Sequence, residues 1–215
     1  MSPGRKTSCN SARRLTDAAA ESTASAPLAG YEVLLCVTGG IAAYKSADLA
    51  SKLVQQGAGL TVAMTEGAER FVAPLTFRSL TNRQVFDSLW ASSHTYDPQH
   101  LSLTERADLM IVAPATANTL AKMACGIADN LVSSLALSAA GACPILVAPA
   151  MNTRMWQSPA TLANMQRLAD WGVQVVGPGH GRLACGTFGP GRMSEPAEIL
   201  ARATELLLAS PAKSL

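Results

Sequence analysis

Charge is scarce in this sequence: only 15% of its 215 residues are Asp, Glu, Lys or Arg, and 17 basic residues face 15 acidic ones. Four of the basic and two of the acidic residues fall in the first thirty, so from Tyr31 onward the balance is 13 against 13. A neutral body without a Lys/Arg run lacks the electrostatic footprint of a nucleic-acid binder or of a protein that docks on anionic membranes. Long apolar runs are missing too. Pro, Gly, Asn or a charge interrupts each stretch before the roughly 18–20 residues that a transmembrane helix needs. Cysteines are few and unpaired: Cys9, Cys36, Cys125, Cys143 and Cys185 form an odd set without a Cys-x-x-Cys. That argues against a disulfide framework and a zinc site, and favours a reducing, cytoplasmic setting. The three histidines, His94, His100 and His180, have no matching ligands at metal-site spacing, so no metal is expected.

What is present is apolar, 48% of the chain, enough for a sizeable core in one domain. Residues 1–30 are rich in Ser, Ala, Arg and Thr, contain no aromatic side chain, and are predicted to be a disordered tail ahead of a domain spanning 31–210. The tail shares its Arg and Ser content with transit peptides, yet it carries Asp17 and Glu21 and no amphipathic stripe, so a plain extension is expected. The C-terminal Lys-Ser-Leu is not the Ser-Lys-Leu peroxisomal address.

Within the domain, short continuous apolar runs alternate with helical patterns. Strands are predicted at Val33–Thr38, Leu60–Met64, Leu109–Ala113, Ile145–Ala148 and Val173–Val176. The spacing of Tyr44, Ala47, Ala50, Leu53 and Val54 predicts a helix that stops at Gly57. Further helices are predicted at Thr119–Ala124, Asn130–Ala139, Pro159–Trp171 and Pro196–Leu208. The fold class is α/β: a three-layer, doubly wound parallel sheet of flavodoxin or Rossmann type.

Ligands of such sheets bind beyond the carboxyl ends of the strands, which directs attention to four segments. Thr38-Gly39-Gly40-Ile41-Ala42-Ala43 joins the first strand to the first helix, where glycines permit close backbone approach and a helix N-terminus favours an anion. It is not Gly-x-Gly-x-x-Gly, and the second strand ends in Met64-Thr65 rather than in an acid suited to a ribose diol, which favours a mononucleotide over NAD. Pro114-Ala115-Thr116-Ala117-Asn118-Thr119 offers a small polar shelf, although Thr and Asn there equally suit helix capping. Pro149-Ala150-Met151-Asn152-Thr153-Arg154-Met155-Trp156 places an amide at a strand end, able to donate to or accept from a substrate carboxylate or amide. The segment from Gly181 to Met193 holds five Gly or Pro in thirteen residues and is predicted to be an irregular, mobile flap with Cys185 at its centre. That cysteine is either a reactive thiol or a small packing side chain.

Together and in this order, the four segments resemble the homo-oligomeric flavin-containing cysteine decarboxylases. The likeness runs from about Glu32 to Leu200. The signature P-x-M-N-x-x-M-W is met by Pro149, Met151, Asn152, Met155 and Trp156, and Leu183-Ala184-Cys185-Gly186 followed by Gly191-Arg192-Met193 resembles the family's substrate clamp. The resemblance implies FMN held at Gly39, Gly40, Ile41, Thr65, Thr116, Ala117, Asn118, Thr119 and Ala150. It implies that His100 is the active-site base, that Asn152 binds the substrate's cysteine carboxylate and that Cys185 is the proton donor. Arg182, Ala184 and Met193 would line the clamp. The implied reaction is conversion of 4′-phosphopantothenoylcysteine to 4′-phosphopantetheine in coenzyme A biosynthesis, by a homo-oligomer of one or more trimers. CO₂ loss from a cysteine would leave an unstabilised carbanion, so an electron sink is required, and oxidised flavin can provide it.

Three alternatives share the architecture. A peptidyl-cysteine decarboxylase of lantibiotic type stops at an enethiol, and Cys185 argues against it. A catalytically silent regulatory flavin-binding protein is disfavoured by intact His100, Asn152 and Cys185. A flavin prenyltransferase would not carry the Pro-Ala-Met-Asn signature. One departure stands out: many relatives have Arg-Trp where this chain has Glu105-Arg106, and if that Arg helps bind substrate phosphate, Arg106 must take the role from a shifted position; whether it does stays open. Bacterial relatives are often fused to a C-terminal ligase domain, and a monofunctional chain and a fragment of such a fusion both stay open.

Overall fold

The computed structural model describes residues 26–89 and 99–213, except for the side chains of Gln99 and His100. Its centre is a six-stranded parallel sheet in the order β3-β2-β1-β4-β5-β6, with β1 Glu32–Val37, β2 Gly59–Met64, β3 Val85–Phe86, β4 Leu109–Ala115, β5 Ile145–Pro149 and β6 Gln174–Val175. β1 lies in the middle, where Val33 is in register with Leu60 on one side and Leu109 on the other. β4 and β5 are buried along their whole length. That explains their uninterrupted apolar sequence, since a parallel strand covered on both faces has no polar face to show.

Alternate residues feed two cores. Val33, Leu35 and Val37 point to one, which is closed by α1 (Ala43–Gln55), α3 (Pro74–Thr81) and α9 (Pro196–Leu208). Leu34 and Cys36 point to the other, covered by α5 (Ala117–Cys125), α6 (Leu131–Ala139) and α8 (Pro159–Asp170). The fold is therefore the expected three-layer doubly wound domain, in Rossmann strand order. Burial removes the Cys36 thiol from water and pushes its pKa well above the ordinary range, so it is a packing group.

Helix ends follow their local chemistry. Gly57 takes φ +89° just after α1, as its position after the periodic run predicts. Pro74 opens α3, and Asn82 closes it in the left-handed region. That helix, the four-residue α2 (Glu66–Glu69) and α7 (Thr153–Trp156), α4 (Gln99–Arg106) and the two-residue β3 all escaped the sequence patterns. Two corrections concern boundaries and regularity. Leu28 is fully buried, and its N–H donates to Gln56 O, so the packed body begins before the expected border at residue 30. The expected tail over residues 1–25 lies outside the described residues.

The segment predicted to be an irregular flap is an antiparallel hairpin, β7 (Gly179–Arg182) with β8 (Phe188–Arg192). Its glycines serve docking, for a side chain on Gly191, at φ +133°, would come within 2.2 Å of Met151 O. Met151 N–H donates to Gly191 O at 2.9 Å, and Thr153 Oγ1 donates to Pro190 O at 2.8 Å. No helix among the described residues is long and apolar enough to cross a membrane.

Candidate active site at the strand order reversal

A cleft of about 1070 Å³ opens at the carboxyl ends of β1 and β4, where the chain reverses its direction of sheet growth. Thr38, just past β1, sews this edge together: its Oγ1 donates to Pro114 O at 2.6 Å and accepts from Thr116 N–H at 3.3 Å. Ser46 Oγ donates to Ala113 O at 2.6 Å, tying the first helix to the same strand end. Every site residue named from the sequence except His100 and Arg106 lines this one cleft: Gly39, Gly40, Ile41, Thr65, Thr116–Thr119, Ala150, Asn152, Arg182, Ala184, Cys185 and Met193.

The two glycines differ. A Cβ on Gly39 would lie 2.7 Å from the Gly67 carbonyl carbon, so this residue is glycine because the first turn rests directly on the backbone of α2. Gly40 has nothing nearer than Thr116 Cγ2 at 3.7 Å and leaves open space on the cleft side. The threonines are caps: Thr65 Oγ1 accepts from Ala68 N–H, and Thr116 Oγ1 accepts from Thr119 N–H. With those oxygens engaged, what the α5 terminus offers a ligand is its first-turn amides and positive dipole end.

On the opposite wall Asn152 is the N-cap of α7, its Oδ1 accepting from Arg154 N–H at 2.8 Å. That bond fixes the amide's orientation, and Nδ2 donates to Cys185 Sγ at 3.1 Å, joining the Pro-Ala-Met-Asn loop to the hairpin tip. Thr187 Oγ1 lies 3.1 Å from the same sulfur. Hydrogen bonds from Thr187, more than from Asn152, draw the Cys185 thiol below its ordinary pKa. Arg182 is exposed on the same hairpin, whereas Met193 buries its side chain in the core and contributes its carbonyl to the wall.

Several lining residues were not read from the sequence. Lys45 is buried, and its Nζ donates to Met193 O at 3.2 Å and Glu195 Oε1 at 2.9 Å. Its signal was present: Lys45 lies four residues before buried Leu49, on the covered face of α1. Glu195 Oε1 also accepts from Arg192 at 2.7 Å, and the Lys45 hydrogen bond, followed by Arg192, holds its carboxyl below the usual range. At the rim, Lys122 pairs with Asp129 at 2.8 Å.

Two expectations end differently. His100 stands in the first turn of α4, and its side chain lies outside the described residues. Arg106 is at the other end of that helix, which delivers the chain to the start of β4. It lines a small void with Glu32, Val33 and Thr61, at the sheet edge opposite the cleft. Within one chain it cannot take a role in the cleft.

Fold and site together define a doubly wound α/β domain with a nucleotide-type crevice and a thiol–amide pair facing it. The flavoprotein family model matches residues 21–208, and the chain belongs to that family. It is 44% identical over 174 residues to the coenzyme A biosynthesis bifunctional protein CoaBC of Vibrio cholerae, covering 81% of this chain and 43% of that protein. It is 39% identical over 176 residues to a probable phosphopantothenoylcysteine decarboxylase of Streptococcus mutans, covering 82% of this chain and 98% of that one. The chain thus spans less than half the length of the bifunctional relatives. Among solved structures it is similar to a PPC decarboxylase mutant complexed with pantothenoylaminoethenethiol, with TM-score 0.74 and 31% identity over 84% of this chain and 99% of that one. It also resembles the FMN-binding protein AtHal3, with TM-score 0.74 and 30% identity over 85% of this chain and 99% of that one.

Proposed function

We propose that this chain decarboxylates the cysteine of 4′-phosphopantothenoylcysteine with FMN, giving 4′-phosphopantetheine. The observation that carries the proposal is the 3.1 Å contact between Asn152 Nδ2 and Cys185 Sγ, on the same wall of the cleft at the strand order reversal. The cleft, of about 1070 Å³, lies at the upper end of the usual range of ligand pockets. Gly39, Gly40, Ile41, Thr65, the Thr116–Thr119 turn and Ala150 would hold FMN, the open space over Gly40 admitting its close approach. Bound FMN supplies an acceptor that takes a hydride equivalent and gives it back, so the net reaction is non-oxidative.

The chain's own groups do the rest. Asn152 has its oxygen committed to Arg154 N–H, so it meets the substrate carboxylate as a donor only, which suits an anion. His100 is the base of the first half-reaction. Once CO₂ has left, Cys185 returns a proton to the substrate carbon, a role suited to an acidified thiol. The assembly we infer is a homotrimer or a multiple of trimers, supported by exposed Ile41 and Tyr44, each 60% exposed beside the cleft. A reducing cytoplasmic setting accords with the free Cys36, Cys125, Cys143 and Cys185.

The test is incubation of the purified protein with phosphopantothenoylcysteine, following CO₂ release and product mass, with heat-released cofactor identified by mass. FMN and the saturated thiol are expected. A product lighter by one H₂ would indicate the lantibiotic-type reaction, and a flavoprotein that releases no CO₂ would be a binding protein. Asn152→Asp should stop CO₂ release by opposing the substrate carboxylate, while Cys185→Ser should release CO₂ and accumulate the enethiol.

A further inference from the structure

The tip of the hairpin is a tight turn that carries the exposed Cys185. Leu183 N–H donates to Thr187 O at 2.8 Å and Gly186 N–H to Leu183 O at 2.9 Å, closing the tip with Cys185 inside it. Gly186 sits at φ +84°, which a side chain resists, and this turn brings Thr187 back toward the thiol. Both the hydroxyl and the backbone N–H of Thr187 then act on Sγ. Threonine is branched at Cβ and therefore stiff at χ1, so its hydroxyl stays where the backbone puts it. On the far side Asn152 Nδ2 donates to the same sulfur.

We propose that Thr187 is a positioning residue: its hydroxyl holds the Cys185 thiol against Asn152 and poises it for proton transfer. This rests on Cys185 being the proton donor of the proposed reaction. The charged and titratable groups on the surrounding elements and along the cleft are Arg182 and His180 of β7, Arg192 of β8, Arg154 of α7, Tyr44 and Lys45 of α1, Glu66 of α2, Lys122 of α5 and Asp129 beyond it, and none of them is bonded to Sγ. The thiol is tuned by neutral donors, and Thr187 is the one on its own strand end.

The division of labour with Asn152 has a consequence for turnover. When a substrate carboxylate takes the Asn152 amide, Thr187 remains as the group that keeps Sγ in place. A thiol still oriented at that moment can deliver its proton as soon as CO₂ is gone.

The test reads the thiol directly. Iodoacetamide labelling of Cys185 is followed by peptide mass across a pH series, in the FMN-loaded full chain without substrate. Thr187→Val should move the labelling midpoint upward by about half a unit to one unit, slowing labelling at neutral pH by about threefold to tenfold. Thr187→Ser, which restores a hydroxyl, should keep the original midpoint. Thr187 is exposed, and retained flavin absorbance in each variant reports that the fold persists. Superimposable profiles for Thr187→Val and the parent would overturn the proposal, as would a serine variant that behaves like valine. In a single turnover with enzyme in excess over substrate, Thr187→Val should release CO₂ at the parent rate but form saturated thiol more slowly. If the parent releases no CO₂ while the labelling midpoint still moves, the proposed reaction fails and the positioning of the thiol stands.

Discussion

At the amino ends of the strands, Glu32, Arg83, Asp108 and Lys213 are spent on one another and on the backbone, whereas at the carboxyl ends Asn152, Cys185 and Arg182 border open space. The Arg83 guanidinium grips both oxygens of Glu32. Asp108 accepts from Glu32 N–H at 2.7 Å and from Lys213 N–H at 2.8 Å. The Lys213 ammonium donates to the carbonyls of Glu105, Ala107 and Ala142. Bonding capacity that is used up internally stabilises the fold. At the cleft it is left partly unspent, and that remainder is what a ligand can meet.

The strongest way to break the contrast is to disturb the cleft edge where it is itself packing. Gly39→Ala forces a side chain into the Gly67 backbone and should cost at least about 3 kcal/mol, read as a large fall in Tm. Gly40→Ala should leave Tm nearly unchanged, and any effect should appear as weaker flavin retention. If the two substitutions behave alike, the division of labour between these glycines is wrong. Next in size, Arg83→Leu leaves the half-buried Glu32 carboxylate unpaired and should lower stability by about 1–2 kcal/mol while the turnover of the folded protein stays the same. Lys213→Ala removes a cation from the C-terminal end of α4 and should cost about 0.5–1 kcal/mol, measurable by urea unfolding, again without loss of turnover.

The smallest effect concerns pH. Because Lys45 and Arg192 depress the folded-state pKa of Glu195, its ionised form contributes stability above the unfolded value of about 4.3, and that contribution disappears as pH falls through the lower folded value. Glu195 is half exposed, so screening keeps the effect small. Thermal melts from pH 6 down to 3 should fall less steeply in Glu195→Gln than in the parent. Equal slopes would show that the carboxyl does not couple the hairpin base to α1.

The sequence revealed the parts of the molecule whose pattern is self-contained. β4 and β5 announce themselves because a strand buried on both faces is apolar throughout, and each crevice segment follows one of these runs or opens a helix. β3 is two residues long and has no period to detect. The hairpin was hidden because its glycines look like disorder, while Gly189 and Gly191 are there for contact with Thr153 and Met151, far away in sequence. For Thr116 the sequence could not separate capping from ligand contact, and its side chain caps α5, as that of Thr65 caps α2. The open question of Arg106 could not be closed from the sequence, because neighbouring positions in sequence need not be neighbouring positions in space. A helix leading into β4 sends its last turn to the amino edge of the sheet.

The central place of β1 also governs how the protein is made. Its edge toward β2 can be paired once one helix has been synthesised, but its edge toward β4 waits until α2, α3 and α4 have followed. During that interval the nascent chain carries an apolar strand with one side unpaired, the kind of edge that recruits other chains. A chain cut short between β2 and β4 would therefore be an aggregation hazard as well as an inactive fragment, and the crevice between β1 and β4 comes into being at the moment that edge is covered.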